Sequence, residues 1–159
     1  MGENRRYVFS GVPLSILIFF VCVTLCSCTL PQIVVLDDPL TASEHNDLGV
    51  AYEHKQMYDL AEKEYLKALK KRKDWAVPHF NLGNLYYKEG HYGKAEHSYR
   101  KALAIDENNP DVLNNLAYLL YEQGRYKEAL TLVDRALSIE YRHAYQDTRN
   151  QILDKSHTE

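Results

Sequence analysis

Histidine, cysteine and carboxylate side chains are the groups in this 159-residue chain that could carry out catalysis or hold a metal ion. The seven histidines form neither an HExxH motif nor a Cys/His spacing typical of a zinc site. His91 and His97 flank a predicted turn without a ligand residue at metal-binding spacing, so we expect both at the surface. The sequence also lacks a glycine-rich phosphate loop and a nucleophile elbow. We therefore expect no enzymatic activity, no metal and no cofactor.

The cysteines point to a different chemistry, the covalent attachment of lipid. All three cysteines lie between residues 22 and 28, at the end of a segment in which Arg5 and Arg6 precede an apolar run at 14–25. This run of about 12 residues is shorter than the ~20 that a membrane-spanning helix needs. A basic start, a short apolar core and small residues are typical of a secretory signal. The rest of the chain has no cysteine with which to form a disulfide.

Residues 25–28 (LCSC) resemble the bacterial lipobox, which has an apolar residue at −3, a small residue at −1 and then the lipidated cysteine. Cys28 is the predicted lipidation site, because lipidation of Cys26 would leave a leucine at −1. The alternative is an uncleaved signal anchor whose apolar run continues to Leu30. Thr29 at +2 is not the aspartate associated with inner-membrane retention. The resemblance therefore implies the outer membrane, with the protein facing the periplasm.

Three copies of a 34-residue pattern make up most of the remaining sequence. Six columns align without a gap, and a fixed period of this length is typical of stacked repeats. The columns hold Leu48, Leu82 and Leu116; Gly49, Gly83 and Ala117; Tyr52, Tyr86 and Leu120; Ala61, Ala95 and Ala129; Tyr65, Tyr99 and Val133; and Ala68, Ala102 and Ala136. Their spacing is helical, so each unit is predicted to be two amphipathic helices. The small residues are expected where the two helices approach closely.

Capping residues and glycines indicate where the predicted helices begin and end. The predicted helices are at about 42–55, 58–71, 76–89, 92–105, 110–123 and 126–139, with ends placed to roughly 2–4 residues. Thr41 and Glu44 form a predicted capping box, and Asn109 followed by proline opens the third unit. Gly90 and Gly124 are expected to end the first helices of units two and three in the left-handed conformation. Unit one has Gln56 at this position, which leaves its turn less well specified.

A seventh helix is predicted at about 143–155. It carries Ala144, Tyr145, Thr148, Ile152 and Leu153 on one side among polar residues. A terminal repeat needs a polar outer face, so this helix is expected to cover the open end of the stack.

The units resemble tetratricopeptide repeats (TPRs), whose pattern places Trp, Leu, Gly, Tyr, Ala, an aromatic residue, Ala and Pro through 34 residues. The match covers about 42–143, with His45, His79 and Leu113 in the tryptophan column and Lys73, Glu107 and Tyr141 in the proline column. The resemblance implies an all-α fold, a right-handed solenoid of three TPR helix hairpins plus a C-terminal capping helix. The expected segments are a lipoprotein signal peptide at 1–27, a lipidated tether at 28–40, repeats at 42–75, 76–109 and 110–143, and the capping helix at 144–156.

The charge of the chain gives no reason to expect a nucleic-acid partner. Residues 1–27 hold two of the 19 basic and one of the 22 acidic side chains, so the remainder is mildly acidic. A basic run comprises Lys67, Lys70, Lys71, Arg72 and Lys73. We interpret this run as cations that complement a helix C-terminus, with contact to anionic lipid or an acidic partner as the alternative.

The resemblance also implies that the first helix of each unit lines a groove. The residues predicted there to bind a peptide are Asn46, Phe80, Asn81, Asn84, Tyr87, Lys88, Asn114, Asn115, Tyr118 and Tyr121. Asparagine amides can pair with a peptide backbone, and tyrosines add contact area at little entropic cost. The alternative is a solvated surface. Some TPR domains hold a C-terminal carboxylate with Lys and Arg, but here only Asn84 and Lys88 remain, and Asp47, Asp111 and Glu122 would repel it.

These features predict a membrane-anchored adaptor or scaffold that binds a protein or peptide partner in the bacterial cell envelope. Assembly of an envelope machine such as a pilus or secretin is the type of role that the resemblance suggests, because small TPR lipoproteins similar to type IV pilus pilotins act in this way. The alternatives are a structural envelope subunit, or an accessory to peptidoglycan or polysaccharide biosynthesis, that uses its convex face or end cap. Neither nucleic acid nor a small-molecule substrate is expected.

Overall fold

The computed structural model describes residues 38–156, and all regular elements in this part of the chain are α-helices. They are α1 (Ala42–His54), α2 (Tyr58–Lys71), α3 (Ala76–Lys88), α4 (Tyr92–Ile105), α5 (Pro110–Glu122), α6 (Tyr126–Ile139) and α7 (His143–Ser156). The predicted all-α repeat fold is confirmed, and each helix end lies within one residue of its expected position. The predicted signal peptide, Cys28 and most of the tether lie outside the described residues. None of the seven helices has both the length and the apolar character needed to cross a membrane.

Side-chain caps begin α1 and α5 as the sequence predicts. Thr41 Oγ1 accepts a hydrogen bond from the Glu44 backbone N–H at 3.2 Å, and the Thr41 N–H donates to Glu44 Oε2 at 2.7 Å. Asn109 Oδ1 accepts from the Val112 N–H at 3.2 Å, and Pro110 occupies the first turn of α5. Each cap satisfies backbone donors that have no partner within the helix itself.

The turns inside the three hairpins share one backbone conformation. Gly90 and Gly124 have φ of +75° and +76°, as expected for left-handed C-terminal caps. Gln56 adopts the same conformation with φ of +58°, although it has a side chain. The Met57 N–H donates to the Tyr52 carbonyl at 3.0 Å, as the His91 N–H does to the Tyr86 carbonyl at 2.8 Å. The first turn therefore closes in the same way as the others, although a residue with a side chain disfavours this conformation.

The hairpins α1–α2, α3–α4 and α5–α6 pack in sequence, and the first helices of adjacent hairpins also contact one another. All seven alanines of the repeat columns are fully buried. At two positions the close approach requires glycine. A Cβ atom on Gly83 would lie 2.4 Å from the Tyr99 ring, and one on Gly49 would lie 2.6 Å from the Tyr65 ring. Glycine thus lets an aromatic ring lie directly against the backbone of the partner helix.

The capping helix α7 packs against α6 and α5. It buries Tyr145, Thr148 and Ile152, whereas Leu153 is half-buried and Ala144 is exposed. The Tyr145 hydroxyl donates to Asp111 Oδ1 at 2.6 Å. The helix covers the last hairpin with an apolar side and leaves its polar side in solvent, as a terminal element of a solenoid must.

The basic run at 67–73 has local partners. Lys67 Nζ lies 2.8 Å from Glu64 Oε1, and the Arg72 guanidinium lies 4.9 Å from the centroid of the Trp75 ring. Lys70 and Lys71 occupy the last turn of α2, where cations interact favourably with the helix dipole. These contacts agree with the interpretation of the run as a helix C-terminus.

Candidate functional site

The first helices of the three units, α1, α3 and α5, line a groove that contains two neighbouring cavities. The larger cavity has a volume of about 440 Å³ and also involves α4 and α7. It is lined by Asn84, Tyr87, Lys88, Tyr99, Asn114, Asn115, Tyr118, Ala144 and Thr148. Its size is within the range of small-ligand sites, and its lining combines aromatic rings with amide groups.

The smaller cavity has a volume of about 220 Å³ and is lined by Val50, Glu53, His54, Tyr65, Asn81, Asn84 and Lys88. Asn84 and Lys88 line both cavities. The two are therefore parts of one surface feature, which we call the groove, and it crosses all three units.

Amide pairs connect the first helices of adjacent units along the groove. Asn81 Nδ2 donates to Asn46 Oδ1 at 3.0 Å, and Asn115 Nδ2 donates to Asn84 Oδ1 at 2.9 Å. Asn84 Oδ1 also accepts from the Tyr99 hydroxyl at 2.8 Å. Asparagine in this helix thus has a structural role between units, in addition to any role in binding.

One amide oxygen in the groove is unsatisfied. Asn114 Oδ1 is buried and has no hydrogen-bond partner within residues 38–156, while Asn114 Nδ2 makes only a long contact of 3.5 Å with Asn115 Oδ1. This oxygen is covered by the protein, so the cost of about 1–3 kcal/mol for a buried acceptor without a donor is a cost to the fold. The residue lies on the wall of the larger cavity, beside α7.

Five tyrosine rings form a continuous row, and two of them, Tyr87 and Tyr118, line the larger cavity. Tyr87 lies between Tyr92 and Tyr118, with ring centroids 5.6 and 6.1 Å away, and the row continues through Tyr121 to Tyr126. Burial, and then the neighbouring Tyr118 and Glu122, raise the pKa of Tyr87 to about 12. Its hydroxyl therefore stays protonated at neutral pH and remains a hydrogen-bond donor. The row offers flat apolar faces with polar edges.

The charged side chains of the groove are largely paired with one another. Lys88 Nζ lies 2.5 Å from Glu53 Oε1, and Glu53 Oε2 accepts from the Tyr65 hydroxyl at 2.8 Å. Asp111 accepts from Arg142 Nη1 at 2.8 Å, so its charge is also balanced. No three His, Cys, Asp or Glu side chains between residues 38 and 156 converge in a way that could hold a metal ion. What the groove offers chemically is hydrogen bonding and aromatic contact.

Most of the residues predicted from the sequence come together in the groove, and three lie elsewhere. Asn81, Asn84, Tyr87, Lys88, Asn114, Asn115 and Tyr118 line its cavities. Asn46 is buried beneath Asn81, Phe80 packs beside Tyr99 with ring centroids 6.2 Å apart, and Tyr121 lines a separate cleft with α7.

Sequence reasoning missed the contributions of α7 and of the second helices. Ala144 and Thr148 close one end of the larger cavity, and Tyr99 supplies its floor. The tyrosine column at 65 and 99 indicated core packing, and no pattern in the sequence showed that the two hydroxyls would reach Glu53 and Asn84.

Comparison with known proteins identifies the repeats. Two family models described as tetratricopeptide repeat match residues 40–108 and 86–152, and together they span the whole repeat array. A search among curated protein sequences found no significant match.

Solved TPR domains share the fold at low sequence identity. The first TPR of Spaghetti (RPAP3), bound to the HSP90 peptide SRMEEVD, superposes with a TM-score of 0.71 at 18% identity, covering 77% of this chain and 98% of that chain. The first TPR domain of human RPAP3 also gives 0.71 at 18% identity, covering 76% and 96%. The Arabidopsis OM64 TPR domain gives 0.67 at 21% identity, covering 71% and 94%. The two family models, together with the 34-residue period, the buried alanine columns and the paired helices, establish that the chain belongs to the tetratricopeptide repeat family.

Proposed function

We propose that this protein is an adaptor whose groove binds an extended peptide segment of a partner protein, and that it has no catalytic activity. The observation that carries the proposal is the groove itself, a surface that crosses three units and is lined by tyrosine rings and asparagine amides. An extended peptide carries a row of backbone N–H and C=O groups, which asparagine amides can pair with. Tyrosine provides contact area at little cost in side-chain entropy.

The first TPR of Spaghetti, bound to an HSP90 peptide, supports a peptide as the ligand, but the charges of this groove favour a different kind of peptide. The peptide SRMEEVD has three acidic side chains and one basic side chain. In this chain Lys88 is paired with Glu53, and Glu122 lies near the tyrosine row. The groove therefore offers no free cation to an acidic peptide, and we propose a neutral or basic segment as its ligand.

Because the asparagines of the groove also pair with one another, substituting them would change stability as well as binding. Asn81 and Asn115 each donate to an asparagine of the preceding unit, so their alanine variants would lose about 0.5–1.5 kcal/mol of stability each as well as any ligand contact. A substitution on the rim of the groove can change ligand contact without removing a hydrogen bond between units. Ala144 is exposed, lies on the wall of the larger cavity and is one residue into α7.

Ala144→Trp should fill the larger cavity and lower the recovery of partner proteins about tenfold, which corresponds to 1.4 kcal/mol of binding free energy. The measurement is the amount of partner that co-purifies with the tagged full chain from solubilised envelope. Ala104→Trp is the matched control, because Ala104 is also exposed near a helix end but does not line the groove. Equal recovery with both variants would rule out the groove as the binding surface.

We further propose that the adaptor is anchored by lipid at Cys28 to the outer membrane of a bacterial cell, facing the periplasm. The support is the lipobox-like LCSC at 25–28 after a short apolar run that begins beyond Arg5 and Arg6. An anchored adaptor of this type would suit the assembly of an envelope machine such as a pilus or secretin. A structural subunit, or an accessory to peptidoglycan or polysaccharide biosynthesis, that uses its convex face or end cap is the competing role.

Cys28→Ser should abolish lipid labelling and leave unprocessed precursor, because the serine cannot form the thioether to which the lipid is attached. Cys26→Ser is the matched control and should still be processed and fractionate with membranes. Metabolic labelling with a fatty acid, followed by fractionation, measures both results. Labelling that persists in Cys28→Ser and disappears in Cys26→Ser would assign the lipid to the other cysteine, and labelling of neither wild type nor variants would favour the signal anchor.

A further inference from the structure

A second concave feature lies outside the groove, where α2, α3 and α4 meet. It has a volume of about 390 Å³ and is lined by Leu66, Leu69, His79, Leu82, Tyr86, Gly93, Lys94, His97, Ser98 and Lys101. We call this feature the basic slot. None of its lining residues lines the groove, so the two surfaces can be altered separately.

The floor and one rim of the basic slot are apolar. Leu82 and Tyr86 are buried beneath it and Leu69 is half-buried. Leu66 lies at the rim with 49% of its surface exposed. A large exposed leucine beside an apolar concavity is a feature of interaction surfaces, since the cost of exposing it is recovered only on contact.

Two lysines place positive charge at the two ends of the basic slot. Lys94 and Lys101 are seven residues apart on α4, which puts both on one face and about 10 Å from each other. Lys94 Nζ lies 5.0 Å from the centroid of the Tyr86 ring, and neither lysine forms an ion pair with any residue of the described part of the chain. The lining contains no carboxylate, and the nearby Glu62 accepts the hydrogen bond of the Tyr86 hydroxyl.

His79 adds little charge to the basic slot at neutral pH. Burial lowers the pKa of His79, and the charges of Lys101 and His97 lower it further. His79 is therefore neutral at neutral pH, whereas Lys94 and Lys101 are permanently positive there.

The corresponding junction between units two and three is built differently. At positions shifted by 34 residues, Lys94 is replaced by Glu128, Leu66 by Arg100 and Ser98 by Leu132. Arg100 and Arg125 there form ion pairs with Glu96 and Glu128 at 2.7–3.6 Å. The apolar floor with free lysines at both ends is thus a property of the first junction, and the repeat pattern as such does not require it.

We propose that the basic slot binds an acidic amphipathic helix of a partner protein. Carboxylates at positions i and i+7 of such a helix are also about 10 Å apart on one face, and can pair with Lys94 and Lys101. Apolar side chains at i+3 and i+4 then face Leu66 and the floor of the slot. The charge distribution argues against a single-chain lipid, because a lipid has only one charged end whereas the slot has a cation at each end.

The proposal is tested with a labelled model helix of about 15 residues, a length at which an isolated helix becomes marginally stable. The peptide carries glutamate at i and i+7 and leucine at i+3 and i+4 on an alanine-rich scaffold. Fluorescence anisotropy with the purified full chain in non-ionic detergent should show saturable binding that weakens with added salt. Lys94→Glu combined with Lys101→Glu should weaken binding at least tenfold. Ser98→Leu, which introduces the leucine of the next junction, should have a similar effect by filling the slot.

Three controls make the outcome decisive. The double variant Lys55→Glu with Lys127→Glu changes the net charge equally at exposed sites outside the slot, and should bind as wild type does. A peptide with lysine in place of both glutamates should not bind, and Ala144→Trp in the groove should leave binding unchanged. The proposal is overturned if wild type does not bind the acidic peptide, or if the lysine reversals leave its affinity unchanged. It is also overturned if those reversals instead abolish co-sedimentation with anionic vesicles, since this would assign the slot to a membrane surface.

Discussion

Gly83→Ala should lower the free energy of unfolding by about 1–3 kcal/mol, the usual cost of overpacking a core. The added methyl group would lie 2.4 Å from the Tyr99 ring, which is only 2% exposed and donates its hydroxyl to Asn84. The ring cannot move aside without breaking that hydrogen bond or displacing α4. Alanine normally favours a helix over glycine by about 1 kcal/mol, so a loss of stability would be a specific sign of this contact.

A double-mutant cycle isolates the contact from other effects. The third unit has Ala117 and Val133 at the positions of Gly83 and Tyr99, and both are fully buried. In a Tyr99→Val background, Gly83→Ala should therefore cost nothing, and should stabilise by up to about 1 kcal/mol through helix propensity. Chemical unfolding followed by circular dichroism measures the free energy of unfolding of wild type, the two single variants and the double variant. An equal cost of Gly83→Ala in both backgrounds would show that the Tyr99 ring does not require glycine there.

Tyr145→Ala should have the largest effect of any single substitution considered, about 3–5 kcal/mol, the range for removing a buried aromatic side chain. Tyr145 is 2% exposed, and its hydroxyl connects α7 to Asp111 on α5. Loss of the ring should detach α7 from the last hairpin and expose the apolar surface beneath it. Because α7 also provides Ala144 and Thr148, the same change should remove one wall of the groove and weaken partner binding.

Tyr145→Phe separates the ring from the hydroxyl. It keeps the buried ring and loses only the hydrogen bond to a carboxylate, so we expect a cost of about 1.5 kcal/mol and nearly normal partner recovery. Thermal melts and partner co-purification on the same two variants give the comparison. If Tyr145→Ala has the same melting temperature as wild type, α7 does not stabilise the array. The assignment of α7 to the groove wall would then be wrong as well.

The groove could be predicted in part from the sequence because it repeats. The first helix of each unit was identified from its period, and seven of the ten expected residues do line one surface. Phe80, Asn46 and Tyr121 were assigned from the same family positions and lie elsewhere, because a position along a helix fixes the direction of a side chain only approximately. The burial of that side chain depends on neighbours from other units.

The sequence alone determined the helices, their order, the capping box at Thr41 and the columns of small residues, because these depend on local propensity and on a spacing that repeats every 34 residues. Contacts between units do not follow that spacing. Asn46 pairs with Asn81 at a separation of 35 residues, and Asn84 pairs with Asn115 at a separation of 31. The donors Asn81 and Asn115 occupy the same repeat position, but their acceptors do not, because unit one has Val50 at the position of Asn84 and unit two has Phe80 at the position of Asn46. Which side chains meet therefore depends on both helices at each contact. For the same reason, only the tertiary structure could show that α7 closes the groove, that Asn114 Oδ1 is left without a donor, and that Lys94 and Lys101 lie at opposite ends of an apolar slot.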